Sequence, residues 1–313
     1  MRSPRYGPDN PDITYVPHAY EERLCDLGEV QMNYATTGDP SNPPLLLIPG
    51  QTESWWGYEA AMPLLAERFQ VFAVDVRGQG RSTRTPGRYT WDNFGNDLVR
   101  FMSIAIGRPA FVSGLSSGGV LSAWLSAYAM PGQVRAAVYE DPPLFASEIN
   151  PAVGPGIRQG IGANLQLFSK YLGDQWSVGD FEGLVKAAPE ELPPHLAAFV
   201  GNAKEPPQNI REYDPEWATA FATGSVSAGC DHARMLSRVK CPVLFTHHFR
   251  VVNDDGWMIG ATTDQQAERV RALVEGAGAS FTYKSFPQMG HAMHRLDPKL
   301  FADTVIEWID SLP

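Results

Sequence analysis

Cysteine, long apolar runs and an excess of positive charge are all scarce in this 313-residue chain. Only three cysteines occur, Cys25, Cys230 and Cys241, widely spaced and without a Cys-x-x-Cys. An odd, scattered set argues against a disulfide framework or a cysteine zinc site, and fits a reducing, cytoplasmic setting. No apolar run approaches the ~18 residues of a membrane span. The segment Met1–Asn10 carries two arginines with no apolar core after them, so it does not read as a signal peptide. Lysine and arginine number 25 against 35 aspartates and glutamates, a net charge of −10. Nucleic acid and anionic membrane both want a basic face, so neither is expected as a partner. No Walker A pattern occurs. Asp75-Val76-Arg77-Gly78-Gln79-Gly80-Arg81-Ser82 has a Gly-x-Gly after a strand but lacks the third glycine of a dinucleotide site. No cofactor and no metal are expected.

What the chain does have is alternation. Leu45–Ile48 is an unbroken apolar run bounded by prolines and Gly50, which reads as a strand buried on both faces. Ala60–Phe69 reads as helix, Val71–Val76 as strand, Trp91–Ile106 as helix, Ala110–Val112 as strand, Val120–Ala129 as helix and Ala136–Tyr139 as strand. Helices alternating with buried strands mean a parallel α/β sheet. Two strands, near Leu27–Val30 and Gln31–Thr36, precede this series. The alternation stops at Pro142-Pro143. Helical stretches follow at Ile161–Leu172, Phe181–Ala188, Leu196–Val200 and Glu216–Ala222, without a convincing strand. Strand Pro242–Thr246, helix Thr263–Gly276, strand Phe281–Phe286 and helix Pro298–Leu312 close the chain. The organisation expected is an irregular arm over 1–22, an α/β core over 23–142 and 237–313, and a helical lid inserted over 143–236.

Gly114-Leu115-Ser116-Ser117-Gly118 sits between a strand and a helix. In that setting a Gly-x-Ser-x-Gly becomes a nucleophile elbow, which lifts the serine hydroxyl on a strained turn. The flanking glycines are needed because a Cβ there would crowd the crossing strand and helix. A serine hydroxyl needs a base within hydrogen-bond reach, and the base needs an orienting carboxylate. Of seven histidines, only His291 and His294 follow a late strand and precede the closing helix. His291, after Met289-Gly290, is the expected base and His294 the fallback. His247-His248, near Asp254 and Asp255, looks metal-like, but adjacent strand residues face opposite ways and cannot share an ion. For the acid, Tyr139-Glu140-Asp141-Pro142-Pro143 offers two carboxylates at the carboxyl end of the strand next to the elbow, the edge where α/β sites form. The proline after Asp141 would hold that residue extended. Glu140 has the longer reach, and Asp254 or Asp255 remain further alternatives.

Pro49-Gly50, Asp75-x-Arg77-Gly78-x-Gly80-x-Ser82, Gly114-x-Ser116-x-Gly118 and Gly290-His291 together resemble the α/β-hydrolase superfamily over residues 24–313. The resemblance implies an α/β-hydrolase fold: a mostly parallel eight-stranded sheet flanked by helices, with an inserted lid. It places the usual acid just past strand Pro242–Thr246, where Phe249 and Arg250 stand instead. It places the oxyanion donors at the main chain of Ser117 and of Gln51. Gly50 and Trp55, on the same loop as Gln51, would border the substrate.

Within the superfamily the chain looks most like the zearalenone lactonases, which open a macrocyclic resorcylic lactone by serine hydrolysis. Glu140-Asp141-Pro142 matches their acid, a glutamate two residues before a proline, and so assigns the role to Glu140, although Asp141 replaces a usually apolar residue. Ser116-Ser117 matches their elbow pair, and Trp217 a lid tryptophan that packs on substrate. Phe168, Tyr171, Trp176 and Phe199 would complete an apolar lid pocket. The implied reaction is attack by Ser116 on a bulky lactone with His291 as base, in a cytoplasmic enzyme that could dimerise. Other readings fit the residues less well. A dehalogenase or epoxide hydrolase would carry Asp at position 116. A carbon–carbon hydrolase would keep its acid where Arg250 stands. A silent small-molecule receptor would not need an intact Ser116 and His291.

Overall fold

The computed structural model describes residues 16–148, 157–173, 179–192, 197, 200, 207–252, 254 and 258–313. Eight strands form one sheet: β1 (Glu22–Asp26), β2 (Gln31–Thr37), β3 (Pro44–Ile48), β4 (Gln70–Val74), β5 (Ala110–Leu115), β6 (Val134–Glu140), β7 (Val243–His247) and β10 (Phe281–Ser285). A separate ladder pairs β8 (Val251–Val252) with β9 (Met258–Ile259). The spatial order is β1-β2-β4-β3-β5-β6-β7-β10. In this sheet the β1–β2 and β2–β4 pairs are antiparallel, and every other neighbouring pair is parallel.

The helices used below are α1 (Trp91–Phe101), α2 (Ser117–Tyr128), α3 (Ile157–Tyr171), α4 (Phe181–Glu191), α5 (Pro215–Thr223), α6 (Asp264–Gly276) and α7 (Pro298–Asp310). They leave β3, β5 and β7 buried at every residue, which is why these strands read as unbroken apolar runs. The strand period of two divides the core. Leu46 and Ile48 pack on one face with Phe101, Val120 and Trp124, while Leu45 and Leu47 pack on the other with Phe111, Phe301 and Trp308.

Several element boundaries differ from expectation. Leu27–Val30 is the turn between β1 and β2, not a strand. Gly28 takes φ 87° there and Leu27 N donates to Val30 O at 2.8 Å. The strand lies earlier, at Glu22–Asp26, and so borders the segment expected to be an irregular arm. The helix expected over Trp91–Ile106 is α-helical to Phe101 and then widens into a π-turn over Met102–Ile106, which ends on Gly107 at φ 70°. Between β6 and β7 the described residues hold helices and no strand, and α3 packs against α4 and α5. The helix expected at Leu196–Val200 falls largely outside the described residues, as do Trp176, Phe199 and Asp255.

The parallel strands β3, β5, β6 and β7 all deliver their carboxyl ends to one edge. The loop at Gly50, the Ser116 turn, Asp141 and His248 therefore emerge side by side.

Candidate active site

Ser116 has φ 53° and ψ −118°, a strained conformation for a residue with a Cβ. The glycines make that turn possible. A Cβ on Gly114 would lie 2.1 Å from Gly118 O, and one on Gly118 would lie 2.2 Å from Ile48 O. The turn is locked by Ser116 N donating to Glu140 O at 2.8 Å and by Val120 N donating to Ser116 O at 3.0 Å. The serine thus hangs directly on the end of β6. Ser116 is half-buried and Ser117 buried. Ser117 opens α2, so its N–H has no acceptor within the helix and is left for an anion.

The structure distributes the two adjacent carboxylates differently from the expectation. Asp141 holds His291: Nδ1 donates to Asp141 Oδ2 at 2.6 Å. Glu140, expected to orient His291, instead holds His294, whose Nδ1 lies 3.1 Å from both of its carboxylate oxygens. The reason is backbone direction. Glu140 ends β6 and keeps the strand alternation. Asp141 leaves it at φ 42°, left-handed rather than the extended form expected before a proline. That conformation is held by Asp141 N donating to Thr246 O at 2.9 Å and by His248 N donating to Asp141 Oδ1 at 3.2 Å. His248 supports the base as well. Its Nδ1 lies 2.8 Å from His291 O and 3.1 Å from Gly290 O, and its Nε2 lies 3.0 Å from Thr246 Oγ1.

The electrostatics follow this pairing. His291 is 45% exposed at its side chain but stands among dense protein. That crowding pulls its pKa down. The hydrogen bond and charge of Asp141, with Glu53 and Glu140 beyond, more than offset it, so the net displacement is upward. Burial pushes the Asp141 carboxyl up, and the hydrogen bond and charge of His291 bring it below its usual value. Glu140 behaves alike: burial raises it, and the charge and hydrogen bonding of His294 outweigh that and lower it.

Arg250, at the usual position of the acid, turns away. Its Nε donates to Asp264 at 2.6 Å and its Nη1 to His248 O at 3.0 Å. His247 points to Tyr283 and to Thr262 O, the opposite way from His248. Among the described residues no three His, Cys, Asp or Glu side chains gather as metal ligands.

The loop after β3 is tied on several sides. Gln79 Nε2 donates to Gly50 O at 3.1 Å, and Gln79 Oε1 accepts from Thr52 N at 2.6 Å. Thr52 sits at φ 65°. The segment before α5 adds Tyr213 Oη, which accepts from Gln51 Nε2 at 2.6 Å, and Asn209, which donates to Thr52 O at 2.8 Å. Gly50 is buried against Ser116, since a Cβ on it would lie 3.4 Å from Ser116 Cβ.

Two tryptophans expected to contact substrate, Trp55 and Trp217, are buried. Trp55 is fully buried. Its indole N–H donates to Glu22 at 2.8 Å and its backbone N–H to Asp75 at 2.7 Å, so it anchors the loop instead of walling a pocket. Trp217 is also fully buried, its ring 4.6 Å from that of Phe94 and tilted by 41°, and near Tyr89 and Tyr213. A large amphipathic ring serves core and pocket equally well by sequence, and here packing takes both.

The sheet order, the strained serine turn and the carboxylate–histidine pair beside it define an α/β-hydrolase fold, and the chain belongs to the alpha/beta hydrolase family, whose model matches residues 45–304. It is similar to bifunctional epoxide hydrolase 2 of Sus scrofa, with 31% identity over 159 residues, 50% of this chain and 27% of that protein. It is similar also to 3-oxoadipate enol-lactonase 2 of Acinetobacter baylyi, with 30% identity over 100 residues, 31% of this chain and 37% of that protein. The matched stretches thus span well under two thirds of these relatives. Among solved structures, E-2-(acetamidomethylene)succinate hydrolase superposes with a TM-score of 0.67 at 20% identity, covering 93% of this chain and 100% of that one. The enol-lactonase of Burkholderia xenovorans LB400 superposes at 0.64 and 16% identity, covering 92% and 100%. No described helix is long and apolar enough to cross a membrane.

Proposed function

We propose that this chain is a serine hydrolase of carboxylic esters that acts on a bulky lactone, with Ser116 as nucleophile, His291 as base and Asp141 as the orienting acid. The observation that carries the reading is the strained Ser116 turn bonded to the end of β6, where Asp141 holds His291 Nδ1 at 2.6 Å. With Nδ1–H given to Asp141, the other ring nitrogen is the one free to take a proton. Ser116 Oγ attacks the ester carbonyl as His291 Nε2 takes its proton. The main-chain N–H groups of Ser117 and Gln51 hold the oxyanion. The ring oxygen leaves with that proton, and water then attacks the acyl-enzyme by the same route. A lactone leaves both ends on one product, a hydroxy acid.

The lactone class is supported by the enol-lactonases among the relatives and solved structures. Resorcylic macrolactones such as zearalenone remain the substrate proposed from the Ser116-Ser117 resemblance, while Glu140, the acid that resemblance implied, pairs with His294 instead. The helices between β6 and β7 would form the lid over such a ring. Phe168, nine-tenths buried, and the half-buried Tyr171 would contribute apolar surface from α3. A fluorophosphonate probe and a substrate panel test the reading together. Stoichiometric labelling of Ser116, absent in Ser116→Ala, is expected. So is faster turnover of macrolactones than of short acyl esters. No labelling of folded protein removes the serine hydrolase, and a preference for short acyl esters removes the lactonase.

A further inference from the structure

A second carboxylate–imidazole pair lies beside the first, and the reaction proposed above makes no use of it. His294 and Glu140 are both 0% exposed. His294 stacks on Tyr58 with ring centres 4.0 Å apart, and its backbone N–H also donates to Glu140 at 3.2 Å. Its Nδ1 faces Glu140 while its Nε2 is buried without a hydrogen-bond partner. The acid opposite Nε2 is Glu53, with Oε2 at 3.7 Å.

Glu53 stands at the other end of this row, on the loop after β3, and is itself buried. Its Oε2 accepts from Gly50 N at 3.4 Å, its own N–H donates to Gly50 O at 3.2 Å, and Arg295 Nη1 donates to its Oε1 at 3.1 Å. The side chain therefore closes the loop on itself around Gly50. Glu53 Oε2 and Ser116 Cβ lie 3.5 and 3.4 Å from the one point a Gly50 Cβ would occupy. The carboxylate thus fixes Gly50 on its amide side and the Glu53 main chain fixes it on its carbonyl side, and the carbonyl side belongs to the peptide that matters for an oxyanion. Gly50 O is taken by Gln79 and by Glu53 N. In a trans peptide the N–H of the next residue, Gln51, must then point the opposite way.

We propose that Glu53 is a positioning residue for the hydrolysis, held in place by the buried His294–Glu140 pair, and that it fixes the Gly50–Gln51 peptide so that the Gln51 N–H is presented to the oxyanion. This rests on the serine-hydrolase reading. Glu53 does not touch the reacting atoms and acts through the loop. Its charge also faces the base. The charged and titratable groups around His291 are Asp141 and Glu140 from β6, Glu53 from the β3 loop, His248 after β7, and His294 and Arg295 from the turn that follows it. Removing Glu53's charge takes away one of three anions that hold the His291 pKa up.

The experiment compares wild type, Glu53→Gln and Glu53→Asp on the best ester of the panel, with fluorophosphonate labelling alongside. In Glu53→Gln, kcat is expected to fall about tenfold or more with KM within about twofold, since a misaligned donor stabilises the transition state less. The acid limb of kcat/KM should move to lower pH. In Glu53→Asp the charge stays but cannot span to Gly50 N, so kcat falls while the acid limb stays where it is. This second variant carries the test if the glutamine variant fails to fold. Unchanged kcat and an unmoved acid limb in Glu53→Gln, with wild type labelling normally at Ser116, overturns the positioning role alone. Absence of labelling in wild type overturns the serine-hydrolase reading and this proposal with it.

Discussion

Replacing Asp141 by asparagine should silence the enzyme through tautomerism, and the structure says why. Each oxygen of the carboxylate has a donor: His248 N–H at Oδ1, 3.2 Å, and His291 Nδ1–H at Oδ2, 2.6 Å. An asparagine has one acceptor oxygen and one amide nitrogen to set in those two places. A backbone N–H cannot reverse its role, so the amide oxygen must stay on His248. The NH2 then faces His291 Nδ1. An imidazole can reverse, and it does so by carrying its proton on Nε2, the nitrogen meant to deprotonate Ser116. The expected loss in kcat is on the order of 10³–10⁴-fold, or about 4–5.5 kcal/mol of barrier. Glu140→Gln should behave differently. It leaves the His291 contact intact but disrupts a fully buried pair with His294, so its main cost is about 3–5 kcal/mol of stability. The assay is kcat on one ester for both variants, with urea unfolding on the same preparations. Asp141→Asn within about tenfold of wild type, alongside a Glu140→Gln that folds normally yet loses several decades, refutes the reasoning and returns the acid to Glu140.

Two further outcomes follow from the same geometry. Because His291 must be neutral to act and its pKa is raised above the ordinary 6.5, kcat/KM should fall on acidification with a midpoint above that value, and a midpoint at or below it contradicts the ion pair. Its stabilisation is complete below the unfolded-state value of 6.5 and fades as pH rises through the raised folded value. Asp141, lowered, contributes above its unfolded value of 3.8 and loses that as pH falls through its folded one. Stability from this pair therefore peaks between the two. Gly118→Ala would set a Cβ 2.2 Å from Ile48 O and 2.7 Å from Pro49 O, backbone atoms that cannot swing aside. It should cost about 3 kcal/mol or more in urea unfolding. A loss below about 0.5 kcal/mol would mean that the crossing is not close.

The parts of this site that could be read from sequence are those where chemistry leaves one solution. Only glycine fits at 114 and 118, where a Cβ would lie 2.1 Å from Gly118 O and 2.2 Å from Ile48 O, so the elbow is legible around Ser116. Only two histidines fall between the last strand and the closing helix, so the candidate base is narrowed to His291 and His294. The sheet was legible because strands covered on both faces must be apolar throughout. The carboxylate that partners His291 is not legible. Glu140 and Asp141 differ by one position, and which of them meets His291 turns on a single left-handed φ that the following proline argues against. Thr52, Ser116 and Asp141 are three of the four described non-glycine residues at positive φ, and all three stand in or beside the site. Each carries strain that the surrounding hydrogen bonds must overcome. Local propensity is least reliable where tertiary contacts overrule it, and those contacts come from distant segments. Asp141 is held by β7 and its loop, Thr52 by Gln79 and Asn209, and the serine by β6. Glu53 is hard to read from sequence for a related reason. Three residues beyond Gly50 it would pass for a solvated charge, and its meaning depends on a histidine that the chain brings to it only after the closing strand.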